Sequence, residues 1–307
     1  MKRFLSTVVF LLAAFAASAQ RYAVTDYSVV YLRADADYES ALETQELMGT
    51  VVEILAEKDY WRKVSVPQPY VAWCTDHSLV EMTEDEMKDY LEAPKYICTS
   101  LFSKVYSEPS DKSEIVSDLV LGDVLRIVYK DEKLAKPQKK GRFLAAMLPS
   151  GKVGYVPSKD IEEQAKWSED VSDATGEDIV ATAKRFLGTP YLWGGMSSKG
   201  LDCSGLVRLS YMMNGIYLPR NAREMIEKVT EVSMEIPRLR PGDLLFFGTP
   251  AKGLFQKEKI THVGMYIGDG RFIHSSHIVR INSMKKEDED CYENIDRLLH
   301  AGRVIRL

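Results

Sequence analysis

A cysteine and two histidines in the last third of the chain have the residue types needed for a cysteine hydrolase. Cys203 follows Asp202 and opens an apolar run that ends at Gly215, which predicts a helix with a thiol in its first turn. The positive end of a helix dipole favours thiolate over thiol, so a lowered thiol pKa is expected. His262 and His274 follow in two short strand-like runs. Together these groups could supply a nucleophile, a base and an orienting residue for cutting an amide bond.

The two histidines can meet only if the hairpin between their strands has a suitable loop. The run 268–270, Gly-Asp-Gly, separates two alternating segments, which is a hairpin pattern. A three-residue loop would pair Ile267 with Arg271. It would place His262 and His274 on one face of the sheet, with their Cα atoms roughly 7–8 Å apart. A two-residue loop would place them on opposite faces. The catalytic interpretation therefore predicts the three-residue loop. It also predicts three apolar residues on the opposite, buried face: Val263, Met265 and Ile267.

Each of these residues alone has a simpler explanation. An isolated cysteine is usually a small buried hydrophobic residue, and a single histidine on a strand is more often structural. A Cys/His₂ metal site would need closely spaced ligands, which the sequence lacks. The joint occurrence of all three favours hydrolysis, and neither a metal nor a cofactor is expected.

The first 19 residues have the pattern of a secretory signal peptide. Lys2 and Arg3 supply the positive start, an apolar segment covers 4–17, and Ala17-Ser18-Ala19 is a small-residue cleavage site. The apolar segment is shorter than the roughly 20 residues that span a bilayer; an uncleaved anchor is the alternative. We therefore expect an exported protein, periplasmic or extracellular, without stable membrane insertion after cleavage.

Composition argues against a nucleic-acid partner. The 307 residues are 45% hydrophobic and 28% charged, with a formal net charge of −5 at pH 7. No basic stripe runs through the chain. Four cysteines without a CxxC pair leave at most one internal bridge if Cys203 is a working thiol. Cys98 with Cys291 is possible, but free buried cysteines are favoured for most of Cys74, Cys98 and Cys291.

Two small β-barrels are predicted before the region that carries the chemistry. Short runs rich in valine, isoleucine and aromatic residues, broken by polar or glycine turns, are typical of such barrels. The pattern occurs twice, with Gly49 and Gly122 at corresponding turns. A repeat of this size fits tandem barrels better than a solenoid. We expect one barrel in 20–90 and one in 91–165, and their order of strands and turns resembles bacterial SH3-like domains.

After residue 165 the strand-like runs of the two predicted barrels end. The polar, acidic segment 166–176 is predicted to be a linker. Residues 179–187 have helical spacing, the helix that opens with Cys203 follows, and a short helical piece is expected over 222–228. Strands are predicted after these helices at 243–247, 263–267 and 272–275. Helices followed by an antiparallel sheet indicate an α+β domain over 177–307.

Residues 175–307 resemble the NlpC/p60 cysteine peptidases, papain-like hydrolases of bacterial cell-wall peptides. The matching segments are GTPYLWGG at 188–195, LDCSGLV at 201–207, LPR at 218–220, RPGDLLFF at 240–247, HVGMYIG at 262–268 and FIHS at 272–275. The resemblance implies Cys203 as nucleophile, His262 as base and His274 as the third member that orients it. It also implies that Tyr191 lines the site, near the oxyanion or the substrate.

The order of an export signal, two SH3-like units and this domain resembles the γ-D-glutamyl-L-diamino acid endopeptidases of that family. Those enzymes cut peptidoglycan stem peptides that carry a free N-terminal L-alanine, and their first SH3-like unit helps to close one end of the groove. In that subgroup an acidic residue commonly follows the arginine of the Leu-Pro-Arg segment and binds the substrate ammonium. Here the position is Asn221, which keeps a hydrogen-bond acceptor but lacks the charge.

The resemblance thus implies a monomeric, exported cysteine endopeptidase that acts on peptidoglycan stem peptides. A non-catalytic cell-wall binding protein, or an N-acylmuramoyl-L-alanine amidase or acyltransferase on the same fold, is the alternative. For Tyr70 and Trp73 of the first barrel, packing inside the barrel is favoured over a place in the groove. The expected substrate-binding residues are Tyr191, Trp193, Asp202, Ser204, Arg220, Asn221 and, from the first barrel, Tyr70 and Trp73.

Overall fold

The computed structural model describes residues 20–67, 70–133, 135–252 and 257–304. The predicted signal segment, 1–19, lies outside these residues. Two β-rich units are followed by a unit that combines helices with a six-stranded sheet, which gives the chain a mixed α and β fold. Within the described residues, no helix has both the length and the apolar character needed to cross a bilayer.

The first unit is an antiparallel sheet built from strands with one buried face. Its elements are β1 (Arg21–Thr25), β2 (Val29–Arg33), β3 (Leu42–Leu47), β4 (Val51–Lys58), β5 (Trp61–Val66), β6 (Tyr70–Thr75), a 3₁₀ turn (Asp76–Ser78), β7 (Leu79–Met82) and α1 (Glu84–Glu92). The strand order is β3-β2-β6-β5-β4-β1-β7. Alternate side chains such as Val30, Leu32, Val52 and Val64 form its core, as expected for half-buried strands.

The second unit repeats this arrangement. Its elements are β8 (Lys95–Cys98), β9 (Phe102–Tyr106), β10 (Ile115–Val120), β11 (Val124–Ile127), β12 (Tyr129–Asp131), β13 (Lys136–Pro137), β14 (Lys139–Lys140), β15 (Phe143–Met147), β16 (Val153–Pro157) and β17 (Ile161–Glu163). The main strand order is β10-β9-β16-β15-β11-β8-β17, and β14 pairs with β15. Strands β12 and β13 form a separate antiparallel pair.

The two glycines of the sequence repeat lie at the contact between these units. Gly49 has a φ of +88° and Gly122 a φ of +93°, the left-handed region that favours glycine. A Cβ on Gly49 would lie 2.6 Å from the carbonyl oxygen of Val124. The buried Asp123 carboxylate accepts the backbone N–H of Met48 at 3.0 Å. The duplicated turns therefore also fix the first sheet against the second.

The segment predicted as a linker is partly helical. Helix α2 (Gln164–Asp170) covers its first residues, and Trp167 is buried in the large core cluster. Lys166 bonds Glu162 and Asp170 on the solvent side. The predicted linker therefore begins within a helix, because the buried ring of Trp167 anchors this otherwise polar segment.

The third unit places three helices on an antiparallel sheet. Its elements are α3 (Gly176–Lys184), β18 (Met196–Ser197), β19 (Gly200–Leu201), α4 (Cys203–Met212), α5 (Ala222–Met225), β20 (Thr230–Val232), β21 (Leu244–Thr249), β22 (Lys259–Gly268), β23 (Arg271–Ser276), β24 (Ile278–Ser283) and β25 (Leu298–Arg303), with 3₁₀ turns at Ile226–Lys228, Ile236–Arg238 and Ile295–Arg297. The strand order is β20-β25-β21-β22-β23-β24. Residues of α3, α4, β22 and β23 share one core, which includes Ile179, Leu206, Val263, Met265 and Ile273.

The β22–β23 hairpin differs from its prediction at the turn. A two-residue turn, 269–270, replaces the expected three-residue loop, and its φ values of +54° and +75° fit a type I′ turn. Gly268 pairs with Arg271, whereas Tyr266 pairs with Phe272, so a bulge lies between the two pairs. The bulge adds the residue that the shorter turn omits. The predicted strand register is therefore kept beyond the turn, by a different local structure.

All four cysteines are free. Cys74 and Cys98 are buried, whereas Cys203 and Cys291 are partly exposed. Cys98 lies in the core of the second unit and Cys291 lies beside the end of β24 in the third. The expectation of free cysteines is confirmed, and no Cys98–Cys291 bridge forms.

Candidate active site

Cys203 is the first residue of α4, as the sequence predicts. The side chain of Asp202 caps this helix, because its Oδ1 accepts the backbone N–H of Gly205 at 2.6 Å. At the other end Gly215, with a φ of +74°, follows the last turn. The apolar face of the helix packs on β22 and β23. The thiol is thus held at a capped helix start against the sheet that carries the histidines.

The surroundings of the Cys203 sulfur disfavour a negative charge. Burial raises the pKa of the thiol to about 11, and the Asp202 carboxylate adds to the increase. The backbone N–H groups of Val263 and Ser204 and the guanidinium of Arg220 act in the opposite direction. The expectation of a lowered pKa is therefore wrong. The residue that caps the helix brings a carboxylate to the same helix end, and burial outweighs the dipole.

His262 and His274 form a hydrogen-bonded pair beside the cysteine. The Nε2 of His262 lies 2.8 Å from the Nδ1 of His274, so the predicted placement on one face is confirmed. Burial lowers the pKa of His262 to about 3 and that of His274 to about 4. Both rings are therefore neutral near pH 7. Cys203 and His262 therefore rest as a thiol and an imidazole, and not as a thiolate–imidazolium ion pair.

Asn282 extends the histidine pair into a row of three hydrogen-bonded side chains, His262, His274 and Asn282. Its Oδ1 lies 3.0 Å from the Nε2 of His274, and its Nδ2 donates to the backbone carbonyl of Asp290 at 2.8 Å. Asn282 is on β24, diagonally across from His274 on β23. The motifs in the sequence do not point to it, because the register of β24 is needed to bring it to the histidine.

A buried ion pair holds the start of α4. Arg220 Nη2 donates to Asp202 Oδ2 at 2.6 Å, and its Nη1 donates to Oδ1 of the same carboxylate at 3.1 Å and to Ser204 Oγ at 2.9 Å. Its Nε donates to Thr44 Oγ1 of the first unit at 2.7 Å. Arg220 is 3% exposed. Its contacts are those of a residue that positions Asp202 and joins two units, and not of one that lines the groove.

Cys203 and His262 open into a groove of about 430 Å³ between the first and third units. Six of the predicted substrate-binding residues line it: Tyr70, Tyr191, Trp193, Asp202, Ser204 and Asn221. The other two lie elsewhere in the described structure. Arg220 is buried in the ion pair, and the ring of Trp73 on β6 lies 5.9 Å from Lys63 Nζ on β5. The structure therefore brings most, but not all, of the predicted residues together.

Glu43 brings a carboxylate to the groove from the first unit. It lines the groove with Tyr70, whose hydroxyl donates to its Oε2. Burial and this hydrogen bond raise the pKa of Tyr70 to about 12. Asn221 lines the same groove, and its Nδ2 donates to Glu224 Oε1 at 3.1 Å. No motif marks Glu43, because its position in the groove depends on how two units pack.

Tyr191 is the groove residue whose hydroxyl is affected by the cysteine. Burial, followed by the electrostatic influence of neighbouring Cys203 and Asp202, raises its pKa. The phenol therefore keeps its proton and can act as a hydrogen-bond donor in the groove.

Comparison with known proteins points to one family. A family model described as the NlpC/P60 family matches residues 188–292. This stretch contains α4, the β22–β23 hairpin and β24. The chain is 29% identical over 261 residues to Dipeptidyl-peptidase 6 of Lysinibacillus sphaericus, with 83% of this chain and 89% of that protein covered.

A second relative and a solved structure agree with this match. The chain is 31% identical over 242 residues to a Gamma-D-glutamyl-L-lysine dipeptidyl-peptidase of Bacillus cereus, with 76% of this chain and 67% of that protein covered. The crystal structure of an NlpC/P60 family protein from Bacillus cereus superposes with a TM-score of 0.75 at 24% identity, over 93% of this chain and 100% of that one. The likeness in structure therefore extends over nearly the whole fold.

Proposed function

This chain belongs to the NlpC/P60 family of cysteine peptidases, and from that premise we propose that it cuts the amide bond between γ-D-glutamate and a diamino acid in peptidoglycan stem peptides. The names of the relatives, dipeptidyl-peptidases matched over most of their length, support this bond. The observation that carries the proposal is the groove itself. It holds a thiol beside a base at one point and a carboxylate from another unit at the substrate side.

In the proposed reaction, Cys203 is the nucleophile and His262 the general base. The sulfur attacks the γ-carbonyl carbon of D-glutamate while His262 accepts the thiol proton. Because both groups rest neutral, the proton moves as the S–C bond forms and not before. His262 then gives this proton to the departing amine of the diamino acid. A water molecule, deprotonated by the same ring, hydrolyses the thioester and frees the thiol.

Two donors are proposed for the oxyanion that forms during attack. The backbone N–H of Cys203 is at the start of α4, where helix N–H groups lack partners within the helix. The hydroxyl of Tyr191 is the other, since its raised pKa keeps it protonated. Removing a single donor of this kind typically costs roughly 10²–10³ in kcat.

Glu43 is proposed to bind the N-terminal ammonium of the substrate. Its carboxylate supplies the charge that Asn221 lacks, and the hydroxyl of Tyr70 holds it in the groove. A hydrogen bond to a charged group is worth roughly 1.5–3 kcal/mol. An acid in the groove that binds this ammonium would favour peptides with a free N-terminal residue before D-glutamate. That preference supports release of a dipeptide.

Export and domain organisation complete the proposal. Residues 1–19 would direct export, so that the enzyme acts in the periplasm or outside the cell. Residues 20–90 and 91–165 would be SH3-like units, and 177–307 the catalytic domain. The duplicated sheets and their matching glycine turns support this division.

The proposal is tested with a free L-Ala-γ-D-Glu-diaminopimelate tripeptide and C203A. The wild-type protein should release L-Ala-γ-D-Glu, detected by mass spectrometry, whereas C203A should release none and keep its circular dichroism spectrum. C291A is the matched control, because it removes a partly exposed thiol away from the groove and should stay active. Unchanged turnover in C203A, or products of muropeptides cut between muramic acid and L-alanine, would contradict the proposal.

A further inference from the structure

We propose that Asn282 is a positioning residue that determines which ring nitrogens of His274 and His262 carry protons. The proposal deepens the function given above, because it concerns how His262 comes to present an unprotonated nitrogen to the thiol. Three consecutive hydrogen bonds carry the proposal, and they link the backbone carbonyl of Asp290, Asn282, His274 and His262. The carbonyl is the only one of these groups that can act solely as an acceptor.

The contact with Asp290 determines which way the amide of Asn282 is oriented. The carbonyl oxygen of Asp290 can only accept a hydrogen bond, and it lies 2.8 Å from the side chain of Asn282. The NH₂ of the amide must therefore face Asp290. The oxygen of the same amide must then face His274, which agrees with the 3.0 Å contact to its Nε2.

The hydrogen bond to Asn282 determines the tautomer of His274. An amide oxygen only accepts, so the Nε2 of His274 must carry a proton. The ring is neutral, since burial lowers its pKa to about 4. A neutral imidazole has one N–H, so its Nδ1 carries a lone pair and accepts a hydrogen bond.

The hydrogen bond to His274 in turn determines the tautomer of His262. Its Nε2 lies 2.8 Å from the Nδ1 of His274 and must donate to that lone pair. Because this ring is also neutral, its Nδ1 is unprotonated. That nitrogen is the one left to accept the Cys203 proton. The opposite set of tautomers would place an N–H on Nδ1, and His262 could then not act as a base.

The row contains no negative charge. The ionisable groups that act on the two rings are Arg280 on β24, Arg297 at the end of a 3₁₀ turn, Glu293 and, for His262, the second histidine. Tyr292 packs edge-on against His274 at 4.7 Å. Within the described residues, neither ring has a hydrogen-bonded carboxylate. Orientation by a neutral amide therefore keeps the base in the correct tautomer without placing a negative charge beside the rings.

The test compares two substitutions of similar size. Asn282→Leu removes the acceptor, whereas Asn282→Asp retains an oxygen that faces His274 in either protonation state. Long-range ¹H–¹⁵N spectra of histidine-labelled protein report the ring tautomers without substrate. We expect N–H at Nε2 of both rings in the wild-type protein and in N282D, and a mixture in N282L.

Kinetics with the tripeptide supply the second readout. For N282L we expect kcat to fall about tenfold, the effect of one net hydrogen bond, with KM changed less than about twofold. N282D should recover most of kcat, and the acid limb of its kcat/KM profile should move to higher pH where the carboxylate is ionised. A purely structural role would lower thermal stability in both variants without moving the tautomers or the acid limb.

The outcomes separate this proposal from the proposed function. Wild-type tautomers in N282L would overturn the role of Asn282 even if the enzyme cuts the tripeptide as proposed. An Nδ1 proton on His262 in the wild-type protein would overturn it as well. If the tripeptide is not cut but the spectra follow the expected pattern, the ordering of protons stands and the substrate assignment fails.

Discussion

The two networks that meet at Cys203 differ in charge. The histidine row, His262–His274–Asn282, consists of neutral groups, because burial lowers the pKa of both imidazoles. The ion pair, Asp202–Arg220, is also buried but is charged, with 2.6 Å between its closest atoms. Neutral groups with free lone pairs can accept and return a proton. A buried ion pair cannot change protonation without losing its attraction, so it can only hold geometry.

The comparison also explains the high pKa of the Cys203 thiol. The ion pair places the Asp202 carboxylate at the helix start, and that charge opposes a thiolate. The neutral row offers no compensating positive charge until His262 is protonated. The two networks therefore hold the site in a neutral resting state and leave charge separation to the moment of attack.

Loss of the base is the change with the largest expected effect on activity. H262A removes the proton acceptor and should reduce kcat/KM by roughly 10²–10⁴, measured by release of L-Ala-γ-D-Glu. H300A is the control, because His300 bonds Glu231 and Glu258 at the surface and should leave the rate unchanged. Comparable rates in H262A and H300A would remove His262 from the mechanism.

Breaking the ion pair should instead show in stability. R220M leaves Asp202 as an uncompensated buried charge, which typically costs roughly 3–5 kcal/mol in the free energy of unfolding, measured in urea. R142A breaks a pair with Asp111 whose side chains are 64% and 55% exposed, so it should cost at most about 1 kcal/mol. Equal stability of the two variants would mean that the ion pair does not hold the helix start.

The neutral histidine row predicts a loss of stability in acid. The pKa of His262 is about 3 in the folded protein and roughly 6.5 in the unfolded chain. Between these values only the unfolded state binds the proton, so stability falls as the pH falls through this range. At pH 5 this ring should cost about 2 kcal/mol relative to pH 8. H262Q should lose less stability than the wild-type protein between pH 8 and pH 5; an identical loss would contradict a neutral ring.

The smallest expected effect concerns the acid of the groove. E43Q removes the charge proposed to bind the substrate ammonium, and kcat/KM for the free tripeptide should fall about tenfold, the lower end of the range for a charged hydrogen bond. The N-acetylated tripeptide lacks the ammonium and should be cut equally by E43Q and the wild-type protein. N221D adds a charge at the neighbouring position and should improve use of the free peptide. An equal decrease for both peptides in E43Q would point to a structural role.

Local patterns could predict the elements that carry the thiol and the base. The helix that begins at Cys203, its cap and its glycine stop follow from short-range rules, and the strand alternation placed both histidines on one face. The turn was missed because an Asp269-Gly270 turn with a bulge and a three-residue loop give the same register beyond the turn. Short-range sequence patterns distinguish poorly between two turn geometries that give the same strand register.

What could not be predicted depends on contacts between distant segments. Asn282 reaches His274 through the pairing of β24, and Glu43 reaches the groove through the packing of the first unit on the third. The raised pKa of Cys203 has the same origin, because burial and the Asp202 carboxylate raise it while Arg220, from another segment, opposes them. Spacing in the sequence contains none of these distances.

Acid quenching of a reaction with the tripeptide, followed by peptide mass spectrometry, tests the central role of Cys203 most directly. An L-Ala-γ-D-Glu thioester should be found on the peptide that contains Cys203 and on no other, and it should be missing in C203A. Release of dipeptide by a protein that never carries this adduct, together with equal release by C203A, would contradict the account.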